Sequence, residues 1–117
     1  MPKYLFITGT NTDVGKTFIG TKLIKGLNKK YSCLVFKPIE TGCVKKKGVL
    51  IPEDSSKYYS IVNKVMDLDE LNPYRFIPPV SPYLAIKRAK KKIFLKDYFE
   101  KLKVISKHAP VLVEGAG

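Results

Sequence analysis

A chain of 117 residues has room for one small domain, because at this size folding buries only about two-thirds of the unfolded chain's surface. The 44% apolar content suits a modest globular core and excludes a disordered chain. A formal charge of +12, from 22 basic against 10 acidic residues, attracts phosphate backbones non-specifically, but it does not make a nucleic-acid reader.

Only Arg75 and Arg88 are arginines, whereas specific phosphate and base contacts favour the guanidinium fork. The lysines are spread along the chain, with clusters at Lys45-Lys46-Lys47 and Lys87-Arg88-Ala89-Lys90-Lys91-Lys92. A solvated lysine face is therefore expected, with no nucleic-acid partner. No run approaches the roughly 20 apolar residues of a membrane span, and none suits a signal peptide. Cys33 and Cys43 lack Cys-x-x-Cys spacing. Reduced thiols, no membrane partner and a cytoplasmic location are the expectations.

Tyr4-Leu5-Phe6-Ile7 is continuously apolar, as expected of a parallel strand covered on both faces. It leads into Thr8-Gly9-Thr10-Asn11-Thr12-Asp13-Val14-Gly15-Lys16-Thr17, a Gly, five residues, then Gly-Lys-Thr. Glycines let such a loop turn its backbone N–H groups inward, while the helix that starts at the lysine aims its positive end at the same place. The pattern reads as a phosphate-binding loop one residue longer than the common form. Lys16 would reach the outer phosphates, and the Thr17 hydroxyl would ligate magnesium. From Lys16, a helix is expected with Ile19, Leu23, Ile24 and Leu27 on one face.

Cys33-Leu34-Val35-Phe36 is a second strand, ended by Lys37-Pro38. A right-handed strand-helix-strand unit brings its end to the edge of the phosphate loop. Lys37 there either faces phosphates or simply reaches water, and the pattern leaves both open. Residues 38–53 have no sustained period and read as an irregular loop. Asp54-Ser55-Ser56 offers helix caps before an apolar helical segment with Tyr58, Tyr59, Ile61, Val62 and Val65. Asp54 is either an N-cap or a metal-reaching carboxylate, and the pattern favours the cap.

Four prolines between Asn72 and Pro82 make a shaped loop. Ser81-Pro82 can start a short helix. A longer helix follows, with Leu95, Tyr98, Phe99, Leu102 and Ile105 on one face and His108 as a surface residue near its end. Val111-Leu112-Val113 is the third strand. Glu114-Gly115-Ala116-Gly117 then lies where ligands collect, outside the carboxyl ends of parallel strands. With no helix after it, one face of the sheet is expected to stay apolar and exposed.

These stretches together resemble the dethiobiotin synthetase family. The match rests on Thr8 to Thr17, Lys37-Pro38-Ile39-Glu40-Thr41-Gly42, Asn72-Pro73-Tyr74-Arg75-Phe76 with Ser81-Pro82, and Val111 to Gly117, in the family's order and approximate spacing. The resemblance implies an α/β fold, a P-loop NTPase-like parallel sheet with flanking helices, truncated after the third predicted strand. Residues 1–117 would be the N-terminal part of a single P-loop ligase domain whose C-terminal half is absent.

It further implies a homodimer that converts 7,8-diaminopelargonate, carbon dioxide and ATP with Mg2+ into dethiobiotin, through a carbamate and a carbamic-phosphoric anhydride. Position by position, Asp13, Val14, Gly15, Lys16, Thr17 and Phe18 would cradle ATP, as would Asp54, Glu114, Gly115, Ala116 and Gly117. Lys37 and Lys16 would be catalytic, Thr12 and Thr41 would contact the substrate, and Thr17, Asp54 and Glu114 would hold the metal. Asp13 stands where the family has a glutamate. The 117 residues alone are expected to turn over little or nothing. Two alternatives stand beside this reading: a P-loop amidoligase of the cobyrinic or cobyric acid type, and a non-catalytic nucleotide-binding remnant.

Overall fold

The structure, a computed structural model, describes residues 4–8, 15–107 and 109–115. In chain order the elements are β1 (Tyr4–Ile7), α1 (Lys16–Leu27), β2 (Leu34–Phe36), β3 (Ile39–Glu40), β4 (Val44–Lys46), β5 (Val49–Ile51), α2 (Glu53–Val62), α3 (Leu68–Leu71), β6 (Tyr74–Arg75), α4 (Pro82–Arg88), α5 (Leu95–Ser106) and β7 (Val111–Glu114).

The three strands read from apolar runs form one parallel sheet in the order β1-β7-β2. β7 is central and buried along its whole length, as a strand paired on both sides and covered on both faces must be. β1 is different. Its Phe6 is 66% exposed and none of its residues is fully buried, so the expectation of a strand covered on both faces is corrected; β1 is also an edge strand, with only β7 beside it among the described strands. Ile24, Val35, Phe36, Tyr58, Val62, Leu71, Ile105 and Leu112 belong to the core that packs on this sheet.

The regions read as loops contain pairing that the apolar pattern does not reveal. Residues 38–53 hold β3 and the antiparallel hairpin β4–β5. The hairpin turns on Lys47 and Gly48, both at positive φ of 51° and 79°, the handedness that matches twisted strands. The proline-rich segment holds β6, which pairs in parallel with β3. Only two residues of it need ladder donors, so the prolines around them do no harm.

The helices also sit differently from their sequence stripes. On α1 the buried residues are Lys16, Thr17, Gly20 and Ile24, while Ile19 and Leu23 are exposed. On α5 Ile105 is buried and Leu95 and Phe99 are exposed. The Ser81 hydroxyl caps α4 as expected, accepting from the Leu84 N–H at 3.4 Å with Pro82 in the first turn. α2 begins earlier than expected, with Pro52 at its N-cap and Asp54 inside its first turn. The reading of Asp54-Ser55-Ser56 as caps is thereby corrected. The helix ends at Val62, leaving Val65 exposed, and the additional short helix α3 follows, closed by a capping box between Asp67 and Glu70.

Candidate active site

Sheet register brings the candidate residues to one edge. Ile7 pairs with Glu114, and Phe36 pairs with Val113. The residue after Phe36 is Lys37, so it emerges level with Glu114, at the edge where β1 also ends. Ligands of parallel sheets collect at this edge.

Glu114 is the centre of the site. It is 1% exposed, and three donors from three elements converge on its carboxylate. Lys37 Nζ donates to Oε2 at 2.6 Å. Thr17 Oγ1 donates to Oε1 at 3.0 Å, with a longer contact of 3.3 Å to Oε2. The Tyr58 hydroxyl donates to Oε1 at 2.7 Å. A buried carboxylate needs such compensation, because desolvation penalises the charge unless it is paired and hydrogen-bonded.

Tyr58 is itself fully buried. Burial pushes its hydroxyl strongly up from the ordinary tyrosine value of 10.0, and its bond to Glu114 with the charges of Glu114 and Asp54 pushes the same way. It is therefore a proton donor held in the protonated state.

Lys37 is anchored through its backbone. Its N–H donates to the Leu71 carbonyl at 2.9 Å, and its carbonyl accepts from Asn72 Nδ2 at 2.7 Å. Asn72 is fully buried and accepts from Arg75 Nε at 3.0 Å. The segment from Asn72 to Arg75 thus braces the strand end that presents Lys37.

Glu40 braces the other side. Its carboxylate, in a residue 5% exposed, accepts the N–H groups of Asp54 at 3.0 Å and Ser55 at 2.9 Å, and the Ser55 hydroxyl at 2.7 Å. Pro52 supplies no side-chain cap. A glutamate remote in sequence therefore caps α2, where a negative charge also suits the helix dipole.

Of the residues singled out from sequence, Thr17, Lys37 and Glu114 are brought together. Lys16 is buried at the start of α1, behind Gly15 in the left-handed conformation at φ 76°. The Gly115 N–H donates to the Ile7 carbonyl at 3.0 Å, continuing the β1–β7 pairing. Phe18 is exposed, with Lys22 Nζ 4.9 Å from its ring centroid. Thr41 is half-buried between β3 and the hairpin.

Asp54 is half-buried and pairs loosely with Lys57 at 3.9 Å, its side chain 45% exposed. Its charge adds to the upward push on the Tyr58 hydroxyl, but the structure does not bring it into the group formed by Thr17, Lys37 and Glu114. Thr12, Asp13, Val14, Ala116 and Gly117, like His108, lie outside the described residues. Both cysteines are free and buried, in keeping with the reduced thiols expected.

Thr17 and Glu114 offer only oxygen donors, which suits a hard divalent cation such as magnesium. Among the described residues no group of three or more His, Cys, Asp or Glu forms a metal cluster, so any metal held here would depend on its other ligands, phosphate oxygens or water. No described helix is long and apolar enough to cross a membrane.

Sequence reading missed Tyr58, Gly20, Glu40, Ser55 and Asn72 as parts of this site. One signal was available: Gly20 interrupts a helix one turn after Thr17. A mid-helix glycine costs stability, but Gly26 in the same helix has open space at its Cβ position, so only the packing distinguishes Gly20.

The sequence profile of the family described as AAA domain matches residues 3–117. An ATP-dependent dethiobiotin synthetase BioD from Aeromonas salmonicida is 38% identical over the whole of this chain and 53% of its own length. The protein of the same name from Fusobacterium nucleatum is 41% identical over 98% of this chain and 52% of its own. The chain spans about half the length of these curated relatives. With its parallel sheet, flanking helices and nucleotide-loop motif, and with curated relatives named as dethiobiotin synthetases, the chain belongs to the AAA domain family.

Proposed function

We propose that these residues form the phosphate-handling part of an ATP-dependent dethiobiotin synthetase. The observation that carries the reading is the convergence of Thr17, Lys37 and Glu114 at the carboxyl edge of the sheet, beside the strand that leads into the Gly-Lys-Thr loop. The names of the relatives support ATP as a substrate and dethiobiotin as the product; 7,8-diaminopelargonate and carbon dioxide are the further substrates that the family resemblance implies.

In this reading one substrate amine takes up carbon dioxide as a carbamate. A carbamate oxygen attacks the γ-phosphorus and ADP leaves. The second amine then attacks the carbamoyl carbon, and inorganic phosphate leaves as the ring closes. Negative charge builds on the transferring phosphoryl group, and cationic groups fixed in advance at that point lower its energy.

Lys37 would supply such a cation between carbamate and phosphate, and Lys16 another on the outer phosphates. Glu114 holds Lys37 in place until an anionic substrate competes for it. Thr17, Glu114 and Asp54 would hold magnesium, whose chemistry is to neutralise phosphate charge. Asp13 to Phe18, with Gly115 to Gly117, would line the nucleotide, and Thr12 and Thr41 would contact the diamine. The protein would act in the cytoplasm as a homodimer.

Product analysis tests the reading. Diaminopelargonate, bicarbonate and magnesium ATP are incubated with the 117-residue chain, alone and together with the remaining half of the Fusobacterium relative, and dethiobiotin is sought by mass spectrometry. The expected result is nucleotide binding without ring closure by the chain alone, and ring closure in the complemented sample that Lys37→Ala abolishes. Complemented turnover that Lys37→Ala leaves intact would remove Lys37 from the reaction.

A further inference from the structure

The Glu114 carboxylate has three donors, and they are not equivalent. Lys37 and Thr17 are the groups that incoming phosphate and metal would recruit for themselves. Tyr58 comes from α2 and is part of the hydrophobic core, and its hydroxyl is directed at Glu114.

That direction passes α1 at Gly20. A Cβ at this position would fall 1.8 Å from the Tyr58 hydroxyl oxygen and 2.8 Å from the ring carbon that bears it. Thr17, Gly20 and Ile24 follow one another along the buried side of the helix. The chain thus leaves out a side chain one turn beyond Thr17, and the hydroxyl passes through the space to reach Glu114 at 2.7 Å.

Resting on the nucleotide-site reading above and deepening it, we propose that Tyr58 is a positioning residue: its hydroxyl, admitted by Gly20, fixes one oxygen of Glu114 so that the carboxylate meets the magnesium-bound phosphates in a set orientation. Such partners behind a carboxylate ligand orient it and tune what it binds. A purely structural hydroxyl would need only some acceptor. This one takes the single carboxylate on which Lys37 and Thr17 also converge, at the price of a glycine inside a helix.

Calorimetric titration of the 117-residue chain with ATP tests this, once with magnesium and once with the metal chelated away. Tyr58→Phe keeps the ring in the core and removes only the oxygen. Its affinity for magnesium ATP is expected to fall at least about tenfold, the lower end for losing a partner behind a metal-binding carboxylate, while metal-free ATP binds within about twofold of wild type.

Gly20→Ala displaces the hydroxyl without deleting it, and the same selective loss is expected. Unchanged magnesium dependence in either variant, or equal losses with and without the metal, overturns the proposal and leaves the nucleotide site standing. A wild-type chain that binds ATP in neither form overturns the nucleotide reading, and the proposal with it.

Discussion

Replacing Glu40 by alanine removes the acceptor at the start of α2. The Asp54 and Ser55 N–H groups, at 3.0 and 2.9 Å, and the Ser55 hydroxyl, at 2.7 Å, lose their partner together. Pro52 provides no substitute. Hydrogen bonds to a charged group contribute about 1.5–3 kcal/mol each, but three on one carboxylate do not add. The Ser55 hydroxyl can rotate, water can reach the partly buried Asp54 N–H, and the variant no longer buries a carboxylate.

Loss of an ordinary N-cap costs about 1 kcal/mol. Ser55 is fully buried, so its stranded amide raises the total to about 3 kcal/mol. With a urea slope near 2 kcal/mol per molar, the midpoint of the far-ultraviolet circular dichroism transition should fall by about 1.5 M. Glu40→Gln keeps one acceptor oxygen and should lose about half as much. An alanine variant within about 0.5 kcal/mol of wild type would refute the idea that Glu40 holds the start of the helix.

The Lys37–Glu114 pair, with side chains 5% and 1% exposed, should behave as a buried ion pair. Lys37→Met is expected to lower the unfolding free energy by about 3–5 kcal/mol because it strands a buried charge, whereas Lys37→Met with Glu114→Gln should recover most of that; a double variant as unstable as the single one would contradict this. Burial pushes the Cys43 thiol up to about 11 from its ordinary 9.0, with the Glu40 charge adding to the shift. The fold therefore favours the neutral thiol, a contribution fully present below pH 9 and lost as the pH rises through about 11. Denaturation midpoints measured from pH 8 to 11 should fall less steeply in Cys43→Ala than in wild type, and parallel curves would show that the thiol is not responsible.

What the sequence discloses here is what depends on neighbours along the chain. Three apolar runs became the three strands of the parallel sheet, and Ser81-Pro82 became a helix start, because a short apolar run and a capping pair are local patterns. Thr17, Lys37 and Glu114 were legible for the same reason: Thr17 lies at the start of a readable helix, Lys37 directly follows a readable strand and Glu114 ends one. Asp54 was legible as a helix-start carboxylate, but its cap role passed to Glu40. No spacing rule links residue 40 to the amides of residues 54 and 55, since the connection exists only after the β4–β5 hairpin has folded the chain back.

The exposed Phe6, Ile19, Leu23, Leu95 and Phe99 mark the opposite limit. Periodicity says which residues share a face, not whether that face is covered. Tyr58 lies between the two cases. Its place in an apolar helical stripe reads as core, which it is, but a tyrosine in a core must still place its hydroxyl. The sequence carries the answer in another helix, as the missing side chain of Gly20. Only the packing of α1 against α2 turns those two separate oddities, a polar atom in an apolar stripe and a glycine within a helix, into one contact on Glu114.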